Sequence, residues 1–153
     1  MIFDLQSSVT TGVALLGAAL GVMNTWNTIS QRRVRLRVRP AVAFAVPHGH
    51  PSFSIEVLNL SSFAVTVSEV GFTLGNDAQE RGKKIVVTDP QVFDGKPWPR
   101  RLEAREAVSV YFAIQPVIKH SKSLRKAYVR TACGERVQGD SPALKQIRKG
   151  SWE

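Results

Sequence analysis

Two histidines stand one residue apart in the PHGHP segment, His48 and His50, and could place two imidazoles near one metal ion. A protein metal site needs further ligands, and His120 is the one other histidine of the chain. Prolines and a glycine surround the pair, and these residue types are typical of a tight turn. We therefore interpret the segment as a turn and predict no metal site.

A serine, a histidine and an aspartate supply the residue types of a nucleophilic triad in Ser141, His120 and Asp140. No nucleophile elbow or glycine-rich oxyanion loop accompanies them, and the order Asp-Ser-Pro is typical of a helix cap. The chain also lacks a phosphate-binding loop and a dinucleotide fingerprint. These observations predict neither an enzyme nor a cofactor.

Arginines recur at every second position of the segment RRVRLRVR, which begins at Arg32. Guanidinium groups bind phosphates and lipid headgroups, so the row could be a membrane-topology signal, a nucleic-acid contact or the solvent face of a strand. The whole chain carries 21 Lys+Arg against 12 Asp+Glu, a net charge of +9. This balance favours anionic partners, but it does not choose between nucleic acid and membrane.

The arginine row follows a long uncharged stretch, because residues 5–31 contain no charged side chain. A helix needs about 20 residues to cross the apolar core of a bilayer, so we predict a membrane anchor over residues 1–31. The alternative is a core helix of a soluble protein. A cleavable signal peptide fits poorly, since the N-terminus MIFD holds an acid and no base.

One side of this helix carries small residues, with Ala14, Gly17 and Gly21 in a GxxxG arrangement. Such a stripe allows two helices to approach closely, so it predicts self-association and a homo-oligomer. Trp26 lies near the C-terminal end, where an indole at the membrane interface is expected.

The charges that flank the helix predict its orientation. Only Asp4 precedes it, whereas five arginines follow it closely: Arg32, Arg33, Arg35, Arg37 and Arg39. Basic residues stay on the cytoplasmic side, so we expect a single-pass protein with a cytoplasmic C-terminal domain. The single Cys133 agrees with a reducing compartment. We predict that Trp26 and these arginines contact anionic lipid.

Residues 32–153 have the pattern of an all-β domain. Apolar residues alternate strictly from Val34 to Val46, and Pro40 within this run indicates an edge strand or a bend. Further short runs of the same kind bring the total to about seven strands, an antiparallel β-sandwich. The Pro-rich residues 88–101 predict a loop with at most one short strand, and SPALKQIRKG predicts a short C-terminal helix.

The segments IEVLNLSSFAVTVSEVGF and LEAREAVSVYF resemble the strand pattern of many bacterial immunoglobulin-like domains, over roughly residues 53–114. The resemblance implies an immunoglobulin-like sandwich and no particular activity, because such folds host many functions.

The expected function is that of a membrane-anchored interaction or scaffold module with an unknown protein partner, within which a structural component of a membrane-associated or virus-like assembly is possible. The alternative is a basic nucleic-acid-binding β-domain, in which the arginine row contacts phosphates. An enzyme is the third and least favoured class.

Overall fold

The structure of the protein, a computed structural model, describes residues 2–45, 50–75 and 82–150. The chain forms two compact units, Met1–Arg33 and Val34–Glu153. The described part of the second unit contains eight strands in two antiparallel sheets and two short helices. The prediction of a mainly β protein with an apolar N-terminal helix and a short C-terminal helix is confirmed. Residues 47–49 of the predicted PHGHP turn, and the side chain of His50, lie outside the described residues.

The first unit is the helix α1, Ile2–Gln31. Its segment Ser7–Gln31 spans 25 residues and is long and apolar enough to cross a membrane, by length and composition. None of these residues is buried against the rest of the chain. Hydroxyl groups along the helix donate to backbone carbonyls one turn earlier, as in Thr11 to Ser7 and Thr25 to Gly21, both at 2.9 Å. Internal pairing of this kind lowers the cost of placing a hydroxyl in an apolar surrounding.

The second unit is built from strands of three to ten residues. In chain order they are β1 (Leu36–Ala45), β2 (His50–Asn59), β3 (Val65–Leu74), β4 (Lys84–Val86), β5 (Arg100–Leu102), β6 (Ala107–Ala113), β7 (Leu124–Thr131) and β8 (Arg136–Gly139). Sheet A has the order β1-β2-β6, and sheet B has the order β4-β3-β7-β8 with β5 also paired to β3. The helices α2 (Gln115–Lys119) and α3 (Pro142–Lys149) complete the unit.

Apolar side chains from the inner faces of both sheets form one core. Phe53 of sheet A meets Phe72 of sheet B edge to face, with ring centroids 5.6 Å apart. Edge-to-face rings contribute about 1 kcal/mol beyond the area that they bury. The period-two pattern of the sequence therefore produces this core, because each strand sends alternate residues inward.

Strand β1 confirms most of the predicted alternation. Leu36, Val38 and Pro40 are buried, and the strand lies at the edge of sheet A without a break at the proline. Pro40 is tolerated because an edge strand leaves one row of N–H groups without a ladder partner. The prediction is wrong at Phe44, which has inward parity but is 64% exposed. It lies near the end of the strand, opposite Pro51, beyond the packed part of the core.

Strand β3 is longer than its local sequence pattern indicates. It runs continuously from Val65 to Leu74 and absorbs two register shifts against β7. Such shifts insert an extra residue without ending the strand. The single short strand allowed within the Pro-rich loop is β5, at the end of that loop, and the short helix α2 had no predicted counterpart.

Helix α3 begins and ends as the sequence predicts. The Ser141 hydroxyl accepts a hydrogen bond from the Leu144 N–H at 3.2 Å, and Gly150 closes the helix in the left-handed conformation. Asp140 accepts two hydrogen bonds from Arg148 of the same helix. The aspartate and the serine of the considered triad therefore act as helix-terminal groups, as predicted.

Candidate functional site

The predicted arginine row is solvent-exposed in every member: Arg32, Arg33, Arg35, Arg37 and Arg39. Arg32 and Arg33 belong to the first unit, whereas the other three belong to the second. Arg37 and Arg39 project from the outer face of sheet A, where Arg39 lies 3.8 Å from the Glu56 carboxylate. An exposed pair at this distance contributes little to stability, so the row remains available to an external anion.

The predicted membrane contacts of the helix are also exposed. The Trp26 indole is 69% exposed, and the predicted self-association residues Ala14, Gly17 and Gly21 are exposed as well. A side chain added at Gly17 or Gly21 would meet nothing within 4 Å. The stripe is therefore free to receive another helix, and its role stays a prediction.

The structure assembles a second cationic surface that the sequence does not reveal, on the outer face of sheet B. We call it the sheet B face. Its cations come from four strands: Lys84 of β4, Arg101 of β5, Lys126 and Arg130 of β7, and Arg136 of β8. Residues directly opposite each other in paired strands share a face, and the register aligns Tyr128 with Gly71 and Gln138, and Arg130 with Glu69 and Arg136. Five cations far apart in the sequence thus share one face.

A buried tyrosine anchors the centre of the sheet B face. Tyr128 is fully buried although it points away from the core, because its ring lies over Gly71 and under Lys84 and Arg136. The Arg136 guanidinium lies 5.1 Å and the Lys84 ammonium 5.9 Å from the ring centroid. Both distances lie within the range of a cation–π interaction. The tyrosine therefore holds two cations in place.

The carboxylate of Glu69 is hydrogen-bonded to two other side chains at the centre of the sheet B face. It accepts hydrogen bonds from Lys84 Nζ at 2.6 Å and from the Tyr128 hydroxyl. The bond from Lys84, followed by that from Tyr128, lowers the pKa of Glu69 below its usual range. Burial, followed by the bond to Glu69, raises the pKa of Tyr128. The carboxylate is thus charged and the phenol neutral at physiological pH.

The acids on the sheet B face pair with only part of its cations. Glu69 pairs with Lys84, and Glu103 pairs with Arg101 at 2.9 Å. Among the described residues, Lys126, Arg130 and Arg136 have no carboxylate within ion-pair distance. Three positive charges of this face therefore have no ion-pair partner among the described carboxylates.

The two cationic surfaces point in opposite directions. Sheets A and B pack through their inner faces, as the Phe53–Phe72 contact shows. The outer face of sheet A, with Arg37 and Arg39, is consequently turned away from the sheet B face. A single flat anionic surface cannot engage both.

No protein family, curated protein or solved structure matches the chain.

A buried arginine marks a third charged cluster, whose role is structural. The Arg100 side chain is 4% exposed, and its Nη2 reaches Asp94 at 2.6 Å and Glu106 at 3.0 Å. Glu106 also accepts a hydrogen bond from the Glu103 N–H at 2.7 Å, which is the main cause of its lowered pKa. The sequence predicts only a Pro-rich loop here, because Asp94 lies within that loop and Glu106 follows β5.

An apolar cleft of about 270 Å³ opens between the two sheets, lined by parts of β4, β6 and α2. Phe72, Phe112 and Val117 are among its apolar lining residues, and Thr88, Asp89 and Gln91 are its polar lining residues. Among the residues that the structure describes, no group of three or more His, Cys, Asp or Glu side chains could hold a metal ion. Cys133 is exposed, and a hydrogen bond between its thiol and the Thr131 hydroxyl lowers the pKa of the thiol.

Proposed function

We propose that the protein is a membrane-anchored interaction module, with α1 as a single-pass anchor and the β domain on the cytoplasmic side. The observation that carries this proposal is the uncharged helix Ser7–Gln31, whose large apolar side chains are exposed around its circumference. At about 1.5 Å per residue its 25 residues measure roughly 37 Å, enough for the apolar core of a bilayer. Exposing such a surface to water is unfavourable by about 25 cal/mol for each Å².

The arginine row supports the orientation and gives the anchor a lipid contact. Five arginines follow the helix within eight positions of Gln31, and all are exposed. Each basic residue near an anionic leaflet contributes about 1 kcal/mol of attraction. Arg32, Arg33, Arg35, Arg37 and Arg39 thus bind headgroups beside Trp26, and the Gly17–Gly21 stripe brings two anchors together as a homo-oligomer.

For the β domain we propose an immunoglobulin-like sandwich. The pairing β1-β2-β6 corresponds to strands A, B and E of that architecture, and β3-β7-β8 corresponds to strands C, F and G. Immunoglobulin-like domains present loops and sheet faces to partners from a rigid framework, which suits a scaffold role.

Alkaline carbonate extraction tests the anchor. The wild-type chain should remain in the membrane pellet after the wash, and recovery in the supernatant would refute the spanning helix. Substituting arginine for the exposed Leu16 and Leu20 should release the protein from the membrane or prevent its insertion. Each charge at the centre of a membrane helix costs about 3 kcal/mol. Phenylalanine at the same two positions is the matched control and should keep the chain in the pellet.

A further inference from the structure

We propose that the sheet B face binds the phosphate backbone of nucleic acid, without reading its sequence. This surface is distinct from the arginine row, and the inference holds whether or not α1 crosses a membrane. The face presents Lys126, Arg130 and Arg136 without carboxylate partners among the described residues, in a frame fixed by Tyr128 and Glu69.

The dimensions of the face suit a polyphosphate backbone. Lys126 and Arg130 lie four residues apart on β7, roughly 13 Å at 3.3 Å per residue. From β4 to β8 the face crosses three strand spacings, roughly 14 Å. A duplex presents one phosphate per strand for each 3.4 Å of its axis, so about four phosphates of one strand fit along this length.

Polar side chains between the cations complete the arrangement. Thr66 pairs opposite Arg101, and Gln138 pairs opposite Tyr128, so both lie on the same face. Hydroxyl and amide groups hydrogen-bond phosphate oxygens in many protein–DNA complexes. The face therefore offers both charge neutralisation and uncharged donors.

Base stacking is not expected on the sheet B face. Tyr128 is the aromatic residue among the outward-pointing positions of these strands, and it is fully buried. Single-strand binders depend on exposed aromatic rings, each worth about 1–3 kcal/mol per stacked base. We therefore expect contacts to the backbone alone, with duplex bound at least as tightly as single strands.

Two other anionic partners fit the face less well. Protein interfaces concentrate aromatic and apolar residues at their centre and are depleted in lysine, whereas the exposed apolar residue of this face is Val86 at its margin. A bilayer that contacts Arg37 and Arg39 of sheet A cannot also contact the sheet B face. Acidic protein and anionic lipid are therefore alternatives for the experiment to exclude.

The test is fluorescence anisotropy with the full chain in neutral detergent micelles and a labelled 20-base-pair duplex of random sequence. Three phosphate contacts predict a log–log salt slope of about −2.7, which is roughly a 40-fold loss of affinity between 50 and 200 mM salt. Substituting glutamine at Lys126, Arg130 and Arg136 should remove this binding. A double variant, Lys126→Gln with Arg130→Gln, leaves Arg136 on the Tyr128 ring and should reduce the slope by about two.

Two control variants each remove three positive charges from residues outside the sheet B face. Substituting glutamine for the exposed Lys119, Lys145 and Lys149 should change the affinity for duplex by no more than about twofold. Surface charges far from the sheet B face are screened at these salt concentrations. Glutamine at Arg35, Arg37 and Arg39 tests the arginine row directly. Loss of duplex binding in this second control, with binding retained in the sheet B variant, would overturn the assignment.

Three further outcomes would also contradict the proposal. The first is that duplex does not bind at 50 mM salt. The second is that single strands bind more than tenfold tighter than duplex. The third is that Lys126, Arg130 and Arg136 are needed only for binding to vesicles of phosphatidylserine and phosphatidylcholine, and not for binding to duplex. Because the chain is held in micelles, failure of membrane anchoring in cells would leave this result unaffected.

Discussion

On the outer face of sheet B, the charged carboxylate of Glu69 accepts a hydrogen bond from the hydroxyl of the buried Tyr128. Neither side chain has a pattern that a sequence can reveal, because Glu69 lies at a register shift of β3 and Tyr128 points away from the core. The alternation of Lys126, Tyr128 and Arg130 does indicate one face of a strand. Which other cations join them depends on the pairing of β4, β5 and β8, which period-two patterns leave open.

Glu69→Gln should remove part of the acid sensitivity of the fold. The pKa of Glu69 is lowered in the folded state, so its contribution to stability is present above the unfolded pKa of about 4.3 and is lost as pH falls through the lower folded pKa. In urea titrations the free energy of unfolding of the variant should change less between pH 5 and pH 3 than that of the wild type. An equal decrease in both proteins would contradict the assigned role.

Arg100→Met should destabilise the protein less than Arg100→Ala, by about 2 kcal/mol. The buried Nε and Nη1 of Arg100 have no hydrogen-bond partner in the part of the chain that the structure describes, whereas its two acidic partners retain partial exposure. Methionine fills the space and removes the unsatisfied donors, but alanine leaves a cavity. Denaturant unfolding of both variants measures the difference, and equal losses would show that the ion pairs, not the packing, dominate.

The elements of the β domain follow from period-two patterns, turn residues and the helix cap. β1, β6 and α3 were predictable because each has a strong local signal: alternation in the strands, and Ser141 with Gly150 in the helix. β5 and α2 have three and five residues, too few for a pattern, and their position depends on contacts with β3 and the core. The continuity of β3 depends on β7, which accommodates its shifts.

Gly139→Ala should destabilise the domain by about 1–3 kcal/mol, the usual cost of overpacking. Strand β8 passes so close to β1 that a Cβ at Gly139 would overlap the backbone carbonyl of Val38. Thermal unfolding measures the loss. The control is Gly12→Ala, where a Cβ meets nothing within 4 Å, and it should leave the unfolding of the β domain unchanged.

Gly17→Leu and Gly21→Leu should weaken self-association of the helix in a membrane reporter assay, because a large side chain keeps two helix backbones apart. Gly12→Leu is the matched control: at 100° per residue Gly12 lies roughly 140° from Gly17 and 180° from Gly21, outside the stripe. Unchanged association in the first two variants, or an equal loss in all three, would discard the stripe as the contact.

At the scale of the whole molecule, an apolar helix and a basic β domain are joined through a short arginine-rich segment. The net charge of +9 follows from composition alone, and hydropathy predicts a division of the chain after residue 31. The sequence does not predict that the two cationic surfaces point in opposite directions, because this depends on which strands share a sheet. In our proposals, arginines of the sheet A face contact lipid headgroups and the sheet B face binds nucleic acid.

The central claim is that the helix spans a membrane and leaves the β domain in the cytoplasm. Cys133 is the single cysteine of the chain, it is exposed, and its lowered thiol pKa favours reaction with maleimides. A membrane-impermeant maleimide is applied to intact cells that express the chain, before and after permeabilisation. Ile2→Cys in a Cys133→Ser background is the control, because residue 2 precedes the segment Ser7–Gln31, and it should react in intact cells. We predict that membrane-bound Cys133 reacts only after permeabilisation, and labelling of Cys133 in intact cells would contradict the account.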